Sequence, residues 1–350
     1  MIILGIETSC DETAAAIIEG RGDKVKVLSN IVSSQIEIHK KYGGVVPEVA
    51  AREHVVNILP VINQALEKAD LTPALSLPRR GGFIDTIAVT VGPGLITSLL
   101  VGVETAKTLA YVWRIPVVAV NHIEGHVYAN FIDNKPKFPA LILTVSGGHT
   151  MLILMSGHGK YKVLGQTRDD AAGEAFDKAA MLLGLGYPGG PAIAAEAAKL
   201  RITNYELRIN KLPRPMMNSN NFDFSFSGLK TALLYATQRD KNWKKKISEY
   251  AYEFEQAVAE VLVHKTLKAA LKYNCKNIML SGGVAANKEL RSRMGNVVKE
   301  KSTGAKLIIP DFKYCTDNAA MIAAAGYFQA KRKKLTPWRK LKAEANQELK

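Results

Sequence analysis

The chain has 350 residues, 47% hydrophobic and 23% charged, a balance ordinary for a globular protein. A single core stops growing near about 250–300 residues, so this length fits two lobes, and no apolar run reaches the roughly 18 residues of a membrane span. Lys and Arg number 47 against 32 acids, a formal charge of +15 that fits either solvated faces or the footprint of a nucleic-acid binder.

Ile2–Ile6 reads as a buried strand that ends in the polar turn Glu7-Thr8-Ser9-Cys10-Asp11-Glu12-Thr13. This opening turns acidic too soon for a secretion signal, and the three scattered cysteines (Cys10, Cys275, Cys315) fit reduced thiols, so the expected location is the cytoplasm. Ala14–Glu19 and Val25–Ser33 return as second and third strands around Gly20-Arg21-Gly22-Asp23. Pro47 suits the first turn of a helix running to about Ala69, with a kink expected at Pro60. Thr72–Phe83, rich in Pro, Arg and Gly, reads as a loop insertion. Ile84–Val91 is a β-rich run that breaks at Gly92-Pro93-Gly94 and opens a helix through Tyr111, with a short strand at Val117–Val120.

The second half repeats the order. Leu141–Val145 ends in Ser146-Gly147-Gly148-His149-Thr150, then Met151–Met155 and Lys162–Gln166 follow as returning strands. A long helix over about Ser248–Tyr273 precedes the strand Asn277–Leu280, which breaks at Ser281-Gly282-Gly283 and opens a helix near Ala285. Strand, polar loop, hairpin, later strand, Gly-rich break and helix occur twice, a duplication in pattern without residue identity. The expected lobes are 1–118, with a helix at about 319–334 packing back on it, and 119–318, followed by a polar, basic tail at 335–350. Runs such as Lys331-Arg332-Lys333-Lys334 carry much of the charge, and deleting everything after Ala330 is expected to flatten the salt dependence of RNA binding.

His122 and His126 carry the most chemical information. Four residues apart on a helix, two imidazoles stack on one face and can grip one metal ion, although histidines with this spacing also occur as ordinary core or surface residues. A helical zinc protease places its base directly after the first histidine, whereas Glu124 sits two residues on and points away, which argues against peptide hydrolysis. The loops Thr8–Thr13 and Ser146–Thr150 offer backbone amides and hydroxyls at matching strand ends, where open α/β sheets bind ligands and backbone N–H groups form anion nests. Two such lobes imply a cleft lined by these loops.

These runs resemble the bacterial TsaD family. The similarity is carried by Gly5-Ile6-Glu7-Thr8-Ser9-Cys10-Asp11-Glu12-Thr13, Gly43-Gly44-Val45-Val46-Pro47-Glu48, His122-Ile123-Glu124-Gly125-His126, Val145-Ser146-Gly147-Gly148-His149-Thr150, Asp169–Lys178, Tyr187–Pro191, Phe224–Lys230, Gly282–Asn287 and Cys315-Thr316-Asp317-Asn318, in unbroken order from about residue 2 to 328. The resemblance implies an actin-like ATPase (ASKHA) fold of two duplicated ribonuclease-H-like lobes with a central cleft. It implies transfer of a threonylcarbamoyl group from threonylcarbamoyl-AMP to the adenosine 3′ of the anticodon, in tRNAs reading codons that begin with A. It places one Fe(II), with Zn or Mg as alternatives, on His122, His126 and Asp317, and nucleotide contacts (ATP or ADP analogues included) on Thr144, Val145, Ser146, Gly147, Gly148, Asp177, Gly190 and Asn287. The partners it implies are tRNA, a smaller paralogue of TsaB type and an ATPase of TsaE type, with no membrane.

The donor is a mixed anhydride, so the enzyme has only to place an amine against its carbonyl and neutralise charge on oxygen, and proximity supplies up to roughly 7–11 kcal/mol of that. Asp11 and Glu12 are the expected residues for accepting the amine proton or orienting the amine. Asp177 suits a ribose diol and Glu174 reads as an exposed helix acid, while Asn287 could cap a helix but the family resemblance favours an adenosine or ribose contact. Two other classes share part of the pattern. A sugar or acid kinase needs the loops and no histidine pair, and a nucleotide-gated scaffold hydrolyses ATP without modifying RNA.

Overall fold

A computed structural model describes residues 1–71, 84–201, 207–301 and 304–349. The insertion expected at Thr72–Phe83 lies outside them. The chain forms two compact units, 1–136 with 310–350, and 137–309.

In the first unit, β1 (Ile2–Glu7), β2 (Glu12–Arg21) and β3 (Lys24–Ser34) form an antiparallel meander. The single turn α1 (Ile36–His39) and α2 (Pro47–Lys68) lead to β4 (Thr86–Gly92), parallel to β1; α3 (Ile96–Trp113) leads to β5 (Val117–Asn121), parallel to β4, and α4 (His122–Ala129) follows at once. The sheet order is β3-β2-β1-β4-β5. Pro47 sits in the first turn of α2 as expected, and Ala50, His54, Ile58, Val61, Ile62, Ala65 and Leu66 form its buried face at helical spacing.

The second unit repeats the plan. β6 (Ala140–Val145), β7 (Thr150–Gly157) and β8 (Lys160–Gln166) form the meander; α5 (Ala172–Leu183), α6 (Gly189–Arg201), α7 (Ser227–Arg239) and α8 (Ile247–Lys272) precede β9 (Asn277–Ser281), then α9 (Lys288–Glu300) and β10 (Lys306–Ile308). The order β10-β9-β6-β7-β8 is the first sheet's order element for element, so the pattern-level duplication is real in three dimensions.

The chain then returns to the first unit as α10 (Ala319–Lys331), where every residue from Ala319 to Ala330 is buried. Small side chains make this possible. An added Cβ on Gly125 of α4 would lie 2.6 Å from Ile322 Cδ1, so the two helices approach closely only because that position is glycine.

Three boundaries differ from the sequence reading, the first being that residues 310–318, with Asp317 among them, belong to the first unit and not the second. Residues 119–136 belong to the first unit, because α4 packs against α10, and nothing like a linker separates β5 from α4. The segment 335–349 is docked, not a solvated tail: Leu341 is 1% exposed within the core of the first unit, Trp338 lies 5.3 Å from Tyr111, and Thr336 N–H donates to Val117 O at 2.8 Å. Burying a leucine contributes about 1.5–3 kcal/mol, enough to outweigh the pull of flanking charges toward water. No helix among the described residues is long and apolar enough to cross a membrane.

Candidate functional site

Asn121 ends β5 and caps α4, its Oδ1 accepting from Ile123 N at 2.9 Å and Glu124 N at 3.3 Å. That cap aims the first helical turn so that His122 and His126 share a face, with ring centroids 4.7 Å apart. Asp317 arrives from the loop before α10, where Asn318 caps the helix by accepting Met321 N at 3.1 Å. Asp317 Oδ1 lies 3.5 Å from His122 Nε2 and 3.2 Å from His126 Nε2, and one donor atom from each residue falls within 4.8 Å of the others. Glu124 points the other way, as its offset predicted: Gln329 Nε2 donates to it at 2.6 Å and Arg332 lies 3.8 Å off.

Behind His122 stands a residue the sequence reading passed over. Glu7, fully buried at the end of β1, lies 3.1 Å from His122 Nδ1, and it accepts from Ser9 N at 2.5 Å and Thr90 Oγ1 at 2.7 Å. The Ser9 hydroxyl is 3.1 Å from the same imidazole nitrogen. Burial opposes charge on Glu7, yet His122 and the hydroxyl of Thr90 outweigh it and hold the carboxyl below its usual range. Burial likewise opposes charge on His122, but Asp317 and Glu7 push it up to about 9. His126 goes the other way: burial, with His122 beside it, lowers its pKa. The signal that would have found Glu7 is a carboxylate closing an otherwise apolar buried strand.

The donor set fits a divalent cation. His126 is fully buried, and neither ring nitrogen has a partner in hydrogen-bond geometry despite Asp317 being near. A buried imidazole without a hydrogen-bond partner is costly, and a metal on Nε2 removes the part of that cost that belongs to this nitrogen. Two imidazoles and a carboxylate with an outer carboxylate on one histidine is a familiar metal-holding arrangement. The set does not distinguish iron from zinc.

Asp11 and Glu12 sit in the loop after β1 and at the start of β2. Burial raises the Asp11 carboxyl, and the charge of Asp317 adds to it. Burial pushes Glu12 up to about 8 against the hydrogen bond from Ser34 Oγ at 2.8 Å, with Asp11 and Asp317 adding to the rise. Asp317 thus feels both acids. His54, unassigned from sequence, pins the same loop from α2: its Nε2 donates to Cys10 O at 2.9 Å, leaving Nδ1 to accept from Thr13 Oγ1 at 2.7 Å.

In the second unit the loop after β6 is the one expected from sequence to receive an anion. Ser146 N donates to His149 O at 2.8 Å and His149 N to Ser146 Oγ at 3.1 Å, closing a tight turn whose Gly147 and Gly148 are exposed. Thr144 and Ser281 hydroxyls meet at 2.9 Å, tying β6 to β9 beneath it. Gly282 has φ +85°, and a Cβ there would sit 2.3 Å from Val145 O, so only glycine permits this approach. Asp177 accepts Gly189 N at 2.7 Å and so holds the turn at Gly190. Asn287 caps α9 by accepting Leu290 N at 2.9 Å, and its Nδ2 donates at 2.7 Å to the buried Glu255, which also pairs with Arg201. The cap reading of Asn287 therefore holds. Glu174 pairs with Lys178 at 2.8 Å and is an exposed helix acid, as expected.

Two units of identical sheet order, each with a polar loop after its first strand, place the protein in a class of duplicated α/β folds. Solved structures agree: HypF from T. kodakarensis superposes with TM-score 0.59 at 15% identity, covering 96% of this chain and 48% of that one. The activator of 2-hydroxyisocaproyl-CoA dehydratase from Clostridium difficile, solved with ADPNP, gives 0.50 at 13% identity over 96% and 99% of the two chains. Within that class the family model TsaD, described as tRNA N6-adenosine threonylcarbamoyltransferase, matches residues 26–324, and the chain belongs to this family. A protein of Syntrophomonas wolfei carrying that description is 51% identical, over 96% of this chain and 94% of its own.

Proposed function

We propose that this protein is a tRNA N6-adenosine threonylcarbamoyltransferase whose donor is threonylcarbamoyl-AMP and whose acceptor is the adenosine 3′ of the anticodon. The convergence of His122, His126 and Asp317 within 4.8 Å carries the reading on the structural side; family membership carries it on the other. The adenosine N6 attacks the carbamoyl carbon, a C–N bond forms, the C–O bond to the phosphate breaks, and AMP leaves with its electron pair while the amine loses a proton.

The nucleotide is bound at Thr144–Gly148 and the Gly190 turn, where the exposed Gly147 and Gly148 bring backbone N–H groups to phosphate oxygens. Asp177 supports the Gly190 turn from behind, and Asn287 caps α9 beside the buried Glu255. Asp11 and Glu12 accept the amine proton or orient the amine, their raised pKa values placing them nearer neutrality than ordinary carboxylates. His122, His126 and Asp317 would hold the metal ion, iron or zinc, and Glu7 would fix the His122 ring. When bound, the ion supplies Lewis-acid stabilisation to oxygen atoms that gain charge.

The setting is the cytoplasm, where tRNA is found, and the partners are a smaller paralogue and an ATPase. Val55, Val56 and Leu59 leave an exposed apolar face on α2 of the kind a protein partner covers.

Reconstitution with threonine, bicarbonate, ATP, an adenylate-forming synthase, the partner proteins and unmodified tRNA tests the reading. Mass spectrometry of the nucleosides should show threonylcarbamoyladenosine. ATP hydrolysis with unmodified tRNA would replace this reading with the scaffold one. Asp11→Ala and Glu12→Ala should each bind the adenylate while slowing transfer, and near wild-type transfer in both would remove their role.

A further inference from the structure

The segment 335–349 is anchored at the start of β5 by Thr336, Trp338 and Leu341, and its second half runs past the other end of β4 and β5. Glu344 N donates to Val91 O at 2.7 Å, and Gly94 N donates to Ala345 O at 3.0 Å. Asn121 Nδ2 then reaches Gln347 Oε1 at 3.1 Å, Gln347 O at 3.3 Å and Glu348 O at 3.4 Å. Asn121 is the cap of α4, and the next residue is His122. One amide group therefore spends its oxygen on the helix and its nitrogen on the segment, an orientation fixed because carbonyls face one side and N–H groups the other.

A second path runs through the loop after β4. Leu95 N–H, next to Gly94, donates to Ser9 O at 2.8 Å, and the Ser9 hydroxyl is 3.1 Å from His122 Nδ1. The helix cap of His122 and one of its two Nδ1 partners, Ser9, thus lean on residues 344–348.

We propose that residues 344–348 are a strap that orients the Asn121 cap and, through it, the His122 imidazole, which makes this segment a positioning element for the metal ion. The proposal rests on the metal reading of His122, His126 and Asp317. Ligand geometry has to be held within about 0.5 Å, and partners behind a metal ligand are worth about 10–100-fold in metal affinity. Gln347 reaches Asn121 with both its side chain and its backbone, so the backbone carbonyls at 347 and 348 retain part of the effect when the side chain alone is removed.

Cobalt(II) is the probe, because its visible spectrum reports coordination geometry as well as affinity. Three variants of the full protein separate the possibilities: deletion of 344–350, Asn121→Asp, and Trp338→Ala. Asn121→Asp keeps the cap acceptor and replaces the donor facing the strap with an oxygen. The expected result is Co(II) affinity lowered about tenfold or more, with an altered spectrum, in the deletion and in Asn121→Asp. Trp338→Ala, at the far anchor, should lower the melting temperature and leave affinity and spectrum alone. Hydrogen exchange at Ile123 and Glu124 in ion-free protein should quicken in the deletion and not in Trp338→Ala.

Unchanged affinity in Asn121→Asp overturns the strap, as does an equal loss in Trp338→Ala, which would mark general stability as the cause. Failure of the wild-type protein to take up Co(II) overturns the metal reading and with it the strap's role toward an ion; unchanged exchange at Ile123 and Glu124 overturns the mechanical link itself.

Discussion

Glu7 is the residue on which the site can be tested hardest. Its two oxygens serve Ser9 N, Thr90 Oγ1 and His122 Nδ1, all in a fully buried setting. Glu7→Ala strips the acceptor from two buried donors, each worth about 1–3 kcal/mol when left unsatisfied. It also removes the partner of a buried ion pair, a loss of about 3–5 kcal/mol in comparable cases. The two figures overlap in what they count, so the expected destabilisation is about 3–5 kcal/mol. Glu7→Gln keeps the volume, but its Nε2 turns a donor toward a group that is itself a donor, and His122 loses its fixed orientation. Metal affinity should then fall about 10–100-fold, or about 1.4–2.8 kcal/mol at 1.4 kcal/mol per decade. Urea denaturation of ion-free protein measures the first effect and Co(II) titration the second. A Glu7→Gln protein with wild-type affinity and wild-type stability would refute the assignment of Glu7 as the residue that holds His122.

Four further outcomes follow from the two units. With His122 pushed up to about 9, an incoming ion must displace its proton, so apparent metal affinity should climb with pH toward about 9 and level off above it; competition with a chromophoric chelator across pH 6–10 reads this out. In ion-free protein the same raised pKa makes the His122 contribution to stability complete below its unfolded value and lost as pH rises through about 9, visible as a falling melting temperature. Glu12 is a carboxyl whose folded pKa is raised to about 8, so the folded state gives up stability as pH climbs from the unfolded value to about 8; Glu12→Gln should melt like wild type near pH 5 and above it at pH 9 in the metal-free protein. Gly282→Ala forces a side chain into positive φ and against Val145 O, which should cost at least about 1–3 kcal/mol and weaken nucleotide binding measured by calorimetry.

Much of this architecture is legible in the chain because its signals are local. The two meanders show as short apolar runs broken at Gly20–Asp23 and Gly157–Gly159, and the histidine pair announces itself by spacing alone. Asp317 emerged only through the family resemblance, since nothing local links it to residues almost two hundred positions earlier. Glu7 and His54 were missed because a buried carboxylate and a buried imidazole are stabilised by partners distant in sequence: Thr90 and His122 for one, Cys10 and Thr13 for the other. The docked segment was misread for a different reason. Its polar and charged residues give it the look of a solvated tail, while its anchoring is done by Leu341 and Trp338 and by backbone groups, which carry no compositional signature. The lobe boundary went astray because α4 follows β5 without a break, and only its packing on α10 shows which unit claims it.

That α10 comes after the whole of 137–309 has a bearing on synthesis. At about 5–20 residues per second, a ribosome needs on the order of 10–30 s to make the intervening stretch. Throughout that interval the nascent first sheet lacks the helix that covers it, and the two imidazoles lack their aspartate. The contiguous second unit can complete itself while the first waits, greasy and unfinished, as a natural client for chaperones. An ion held by these three residues would therefore load only once Asp317 has been made, after the second unit's chain is complete.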